Sequence, residues 1–155
     1  MDDLDRRIDK AFTMVAFAAN RHLVDHMRRM TTTLDMDLES AMLWGTLAHL
    51  NVAQAIRPGA PPTELLAPDG FLLGAHRPVR LTDLVQVTGL PKETVRRKLE
   101  KLRQRGKVRR TEDGLWDALR EGIDERTHAF TRESVKRLLS TARIIEGILQ
   151  NSRPD

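Results

Sequence analysis

The chain has 155 residues, no cysteine, 40% hydrophobic residues and a formal net charge of +4, with a pI of about 9.9. Without cysteine there are no disulfides and no thiolate metal sites. No apolar run approaches the ~20 residues of a membrane-spanning helix, and the charged start MDDLDRRIDK lacks the apolar stretch of a signal peptide. The expectation is a soluble cytoplasmic protein, a single domain over 1–155 with enough apolar residues for a real core.

In chain order, Leu4, Ile8, Phe12, Val15, Ala19, Leu23 and Met27 recur at spacings of three and four. That spacing predicts one long helix from Leu4 to about Met30, ended by the poor helix formers Thr31, Thr32 and Thr33. Asp37 is placed to cap a second helix running to about Ile56. Leu38, Ala41, Met42, Trp44, Leu47, Leu50 and Val52 make that helix apolar around most of its circumference, so it belongs at a centre. Segment 1–56 therefore holds the N-terminal helices. From Arg57 the composition changes. Pro58, Gly59, Pro61, Pro62, Pro68, Gly70, Gly74 and Pro78 confine regular structure to short pieces. One helical turn is expected at Thr63–Leu66, and Phe71, Leu72 and Leu73 are expected to pin this long connection, 57–76, to the core.

Segment 77–117 is denser in signals. Arg77–Arg80 reads as a short strand, after which Thr82 is placed to cap a short helix bearing Leu84, Val85 and Val87. Gly89 supplies the left-handed residue that ends it, Leu90 plugs the corner, and Pro91 opens a second helix to about Gln104. Val95, Leu99 and Leu102 form that helix's inner stripe. At about 100° per residue, Glu93, Arg97, Glu100 and Gln104 point the other way, flanked by Arg96 and Lys101. Gly106 stops the helix. Lys107–Arg110 and Leu115–Asp117 are strand candidates joined by Asp113-Gly114, a strong hairpin signal. In 118–155, Asp117–Glu125 is ambiguous, with room for one helical turn. A last helix from about Arg126 to Gln150 carries the stripe Val135, Leu138, Leu139, Ala142, Ile145 and Leu149.

The predicted fold class is mainly α: a winged helix-turn-helix core with a small β-hairpin wing, flanked by N- and C-terminal helices. Charge points to its ligand. Between Leu81 and Arg110 ten bases stand against three acids, a local balance of +7 on a chain whose total is +4, so the remainder is slightly acidic. A basic patch on a near-neutral body is the electrostatic footprint of a nucleic-acid binder. Phosphates call for cations that position the protein, and base edges in the major groove call for paired donors or acceptors. The helix Pro91–Gln104 offers both. Arg96 and Arg97 are the candidate readers of bases or phosphates. Thr94 is a candidate for a thymine methyl or a phosphate. Glu93 is placed to accept from cytosine N4 or to orient Arg97, four residues on. Lys92 and Lys101 are candidates for phosphates, and Lys107, Arg109 and Arg110 for the adjacent backbone or minor groove. A charged helix face alone is usually just a solvated surface. Here it comes with a cap, a Gly-Leu-Pro corner, an apolar stripe, a glycine stop and a DG hairpin in fixed order.

The segment RPVRLTDLVQVTGLPKETVRRKLEKLRQRGKVRRTEDGLW, and TGLPKETVRRKLEKL within it, resembles the DNA-binding core of bacterial winged-helix transcription regulators, most closely the MarR type. The resemblance implies that Pro91–Gln104 is the recognition helix and Lys107–Asp117 the wing. It also implies that the helices Leu4–Met30, Asp37–Ile56 and Arg126–Gln150 include the dimerisation helices of a homodimer. The IclR-type helix-turn-helix is similar locally, although the chain has no room for that family's large effector domain. The implied function is a sequence-specific regulator of transcription, a repressor, that binds double-stranded DNA at a pseudo-palindromic operator. The alternative is a winged-helix adaptor that binds protein without DNA specificity. A small-molecule effector is an open expectation; no cofactor and no membrane partner is expected.

Two weaker patterns remain. His22 and His26 share one helix face at metal-ligand spacing beside Asp25, but without the glutamate of HExxH, and two surface or interface histidines account for them. Met14, Phe17, Met42, Trp44 and Phe71 are candidates for a ligand pocket, or simply core. No nucleophile triad, phosphate-binding glycine loop or carboxylate pair suggests an enzyme.

Overall fold

A computed structural model describes residues 3–56, 59–74 and 76–152. The chain divides into two compact units. One is formed by both chain ends, up to Met36 and from Glu125 onward; the other is Asp37–Asp124.

The first unit contains α1 (Asp3–Lys10), α2 (Phe12–Thr33) and α7 (Glu125–Gln150). The long N-terminal helix expected from periodicity is interrupted only at Ala11, whose N–H still reaches the carbonyls of Arg7 and Ile8. α2 ends with the threonine run and not ahead of it. Thr31 and Thr32 donate their hydroxyls to the Arg28 carbonyl, at 2.8 and 3.0 Å, and the helix continues to Thr33. Asp35 then turns the chain with a φ of 52°.

α2 and α7 run antiparallel, as their bonded partners show. The guanidinium of Arg29 donates to Ser134 Oγ and the Phe130 carbonyl, Arg137 donates to Asp25 at 2.9 Å, and His22 Nδ1 lies 3.2 Å from Thr141 Oγ1. This seam is unusually polar. Phe130 and Leu149 are buried in it, but the C-terminal stripe residues Val135, Leu138 and Leu139 face outward, as do Phe12, Met14, Phe17, Leu23, Val24 and Met27 of α2.

The second unit is built around α3 (Leu38–Val52), against which α5 (Leu81–Thr88), α6 (Lys92–Gln104) and strand β2 (Trp116–Ala118) pack. Asp37 caps α3 by accepting from Ser40 N at 2.9 Å. The helix ends at Val52, short of Ile56, which is exposed. Leu43, Leu47, Leu84, Val95 and Leu99 have no accessible surface, and Trp44, Leu102, Val108, Trp116 and Ala118 complete the core.

Asn51 holds the far end of α3 in place. Its amide donates to the Arg77 carbonyl at 2.8 Å and to the Trp116 carbonyl at 3.4 Å, and its oxygen accepts from Ala118 N at 2.8 Å. The strand expected at Arg77–Arg80 is reduced to one bridging residue, Val79, paired with Trp116.

In the proline-rich connection, Arg57 and Pro58 lie outside the described residues. The helical turn is α4 (Pro62–Leu65), and Leu66 bridges Leu72. Phe71 and Leu72 are half-buried, but Leu73 is 65% exposed and pins nothing. Arg120 holds this loop instead, lying over the Phe71 ring at 4.2 Å and pairing with Asp69.

At the helix corner Asp83, not Thr82, provides the cap, accepting from Arg80 N at 3.1 Å; Thr82 lies inside the first turn of α5. Gly89 is left-handed, with a φ of 68°, which a Cβ disfavours. The Pro91 carbonyl accepts from Val95 N at the start of α6. Strands β1 (Val108–Arg110) and β2 form the antiparallel wing with Arg109 opposite Asp117, closed by a turn through Gly114. A 3-10 turn, Arg120–Gly122, follows. A Cβ on Gly122 would lie 2.8 Å from Lys107 Cα, so this turn can press against the root of the wing only because the residue is glycine.

Candidate nucleic-acid interface

The inner side of α6 fixes what its outer side presents. Val95, Leu99 and Leu102 are buried against the second unit's core, and Lys98 is buried beside them. The Lys98 ammonium lies 2.6 Å from Asp37 and 3.1 Å from Glu39, tying α6 to the start of α3. Burial works against both charges. The bonds prevail, raising Lys98 above the usual lysine value and holding Asp37, with Ser40 also donating, well below the usual carboxylate range.

With the inner face so anchored, Lys92, Glu93, Arg96, Arg97, Lys101, Arg103 and Gln104 are all exposed, and Thr94 is half-buried. Glu93 pairs with Arg96, at 3.0 and 2.5 Å, rather than with Arg97 as the four-residue spacing suggests; positions three apart are equally neighbours on a helix. Glu100 and Arg103 repeat the arrangement, at 2.5–3.1 Å. In both pairs the hydrogen bond lowers the glutamate pKa and raises that of the arginine.

The three wing cations differ in fate. Arg110 is exposed and lies over the Trp116 ring at 6.0 Å. Arg109 donates through Nε and Nη2 to Asp117, at 3.0 and 2.7 Å, yet its side chain remains 61% exposed, so it is oriented rather than hidden. Asp117 itself is buried and also meets His76 Nδ1 at 3.2 Å. Lys107 overturns the expectation of a backbone grip. It is buried, with its ammonium 2.5 Å from the Gly122 carbonyl and 3.0 Å from Asp124, and it lies over the Trp44 ring at 4.9 Å. It braces the wing from inside, and its charge is spent there.

Sequence reasoning missed Asn51, Asp117 and the Glu100–Arg103 pair. Asp117 left a trace, an acid inside the apolar strand WDA directly across the hairpin from Arg109. Asn51 left none, being one polar residue among many near a helix end.

The other candidate residues do not assemble. Met14 and Phe17 line an open groove of about 880 Å³ along α2 and α7 in the first unit. Trp44 and Phe71, in the second, take Lys107 and Arg120 on their faces, and Met42 is exposed. His22 and His26 stack with ring centroids 6.2 Å apart, and His26 also meets Phe130. Among the described residues no group of three His, Cys, Asp or Glu is placed to hold a metal, and no helix is long and apolar enough to cross a membrane.

Exposed cations on a helix that follows a tight corner, with a hairpin behind it, form a surface shaped for a nucleic-acid duplex. Residues 70–112 match the IclR helix-turn-helix domain. The matched span runs from the end of the proline-rich connection through α5, the corner, α6 and β1 to the wing tip. It supports a bacterial DNA-binding transcription regulator of the helix-turn-helix kind. It does not support the MarR type as such: of the two local resemblances in the sequence, the match falls on the IclR type. No curated protein and no solved structure matches the chain.

Proposed function

We propose that this protein is a homodimeric repressor, not an enzyme, that reads a pseudo-palindromic operator in double-stranded DNA. α6 enters the major groove with its N-terminal turns toward the base edges, and the wing lies against the neighbouring backbone. The observation that carries this reading is the outward face of α6. Its inner side is fixed by the core and by Lys98, so Lys92, Arg96, Arg97 and Lys101 project together from a rigid element. Arg96 and Arg97 are the base readers, Thr94 touches the duplex beside them, and Lys92, Lys101, Arg109 and Arg110 neutralise phosphates. Repression follows from covering a promoter.

The first unit supports the dimer. Phe12, Leu23 and Met27 of α2 and Val135, Leu138 and Leu139 of α7 are large, apolar and exposed. At about 100° per residue they fall along one side of the antiparallel pair. Six such side chains present several hundred Å², approaching the ~800 Å² per partner of a stable interface. A second copy, contributing the same face, buries both at once.

The test is binding of fluorescent duplexes selected from a random pool. Arg96→Ala with Arg97→Ala is expected to abolish sequence selectivity while leaving circular dichroism and oligomeric mass unchanged. Unchanged selectivity refutes the recognition-helix assignment. Salt-insensitive pairing with a protein partner, and no preferred duplex, indicates an adaptor instead.

A further inference from the structure

On a helix turning about 100° per residue, Glu93 and Glu100 lie within about 20° of each other, on the line opposite Val95. Arg97 and Gln104 share that outer face; Arg96 and Arg103 flank it on one side and Lys101 on the other. Each glutamate is bonded to the arginine three residues on. The outer face of the helix therefore carries two carboxylates beside one cation, and its edges are cationic.

We infer that Glu93 and Glu100 are specificity-determining residues: they weaken attachment to arbitrary DNA and favour sequences that present base amino groups to the centre of α6. This rests on the DNA-binding reading above. The major groove is about 12 Å wide, with phosphates on its rims and base edges on its floor. A helix centred there turns Lys101 and Arg103 toward the rims and its outer face, with Glu93, Arg97 and Glu100, toward the floor; Arg96, between the two, is in reach of base edges. Carboxylates on that face meet cytosine N4 and adenine N6 favourably, and meet guanine O6, N7 and thymine O4 unfavourably.

Away from its preferred sequence the helix must lie closer to phosphates, which repel the carboxylates and compete for Arg96 and Arg103. An exposed ion pair holds its members only weakly, a few-fold in an equilibrium constant. Two such pairs, together with the repulsion, are enough to tilt a balance between specific and non-specific binding. The wing contributes to the same field, since Arg110 acts on Glu100 through space along with Arg96.

The experiment compares the full-length protein with Glu93→Gln plus Glu100→Gln, at several salt concentrations, on a random-sequence duplex and on the duplex selected by the wild type. The substitutions are on the surface, so circular dichroism should be unchanged. The double variant is expected to bind the random duplex roughly tenfold more tightly at low salt. The slope of log K against log salt should steepen by up to ~1.8, as two freed arginines each neutralise one further phosphate. A pool selected by the variant should lose a cytosine preference present in the wild-type pool, whereas an adenine preference survives because a glutamine amide also pairs with adenine.

If the wild type selects a sequence but the variant leaves random-duplex affinity, slope and selected bases unchanged, the inference is overturned and the function stands. If the wild type binds no duplex at low salt, both fall.

Discussion

Asn51→Ala removes three hydrogen bonds that join the end of α3 to Arg77 and to β2, and their geometry sets the size of the loss. The bond to the Trp116 carbonyl is long, at 3.4 Å, and that carbonyl keeps its partner Val79 N, so little is lost there. The Arg77 carbonyl lies on an exposed residue that water can reach, so losing its 2.8 Å bond costs about 1 kcal/mol. Ala118 N is buried and is left without its acceptor, which costs a further ~2 kcal/mol. A total of about 3 kcal/mol in a domain of under a hundred residues corresponds to a fall in melting temperature of roughly 12–24 °C. Both tryptophans, Trp44 and Trp116, belong to the second unit, so thermal unfolding followed by tryptophan fluorescence reports on that unit selectively. A fall of less than about 4 °C, equivalent to under ~1 kcal/mol, would refute the claim that Asn51 closes this core.

Lys107→Met should lower the stability of the second unit by about 2 kcal/mol without changing the salt dependence of DNA binding. Lys101→Ala should leave stability alone and flatten the salt slope by ~0.9; the two are separated by melts and by binding at three salt concentrations. His26 is held below its ordinary value of 6.5, chiefly by burial and then by the charges of His22 and Arg29. As pH falls, the unfolded chain therefore takes up a proton at this position before the folded one does. The first unit should lose stability as pH drops below 6.5, with no contribution from this group above it. Melts followed by far-ultraviolet circular dichroism at pH 7.5 and 5.5 should show this, and His26→Gln should reduce the difference. Leu138→Glu with Leu139→Glu should yield monomer by light scattering at micromolar concentration while DNA selectivity per half-site survives; a persistent dimer moves the interface elsewhere.

What could be read from the chain, and what could not, divides along physical lines. The corner Gly89–Pro91, the stripe Val95–Leu99–Leu102 and the Asp113-Gly114 turn are local, because backbone sterics and helical period dictate them within a few residues. All appear in the fold within a residue or so. The roles of individual cations were not local. Lys98, Lys107 and Arg109 look alike in the sequence, yet one is bonded to the start of α3, one is enclosed beneath a 3-10 turn and one is oriented by a buried acid. Those outcomes depend on residues eight to sixty-one positions away. The threonine run stops the helix at its last member and not before its first, because hydroxyl groups can satisfy themselves on the preceding turn. The terminal stripe was legible as apolar, but its periodicity does not say what it packs against, and much of it faces away from α2.

Asp37 and Asp124 stand at the two points where the chain passes between its units. The first is bonded to Lys98 of α6, the second to Lys107 at the root of the wing. Both doorways of the second unit are thus latched to α6 or to the hairpin. A tug on the polypeptide at Asp37 is shared between α6 and the capped end of α3, and one at Asp124 bears on Lys107 under the hairpin.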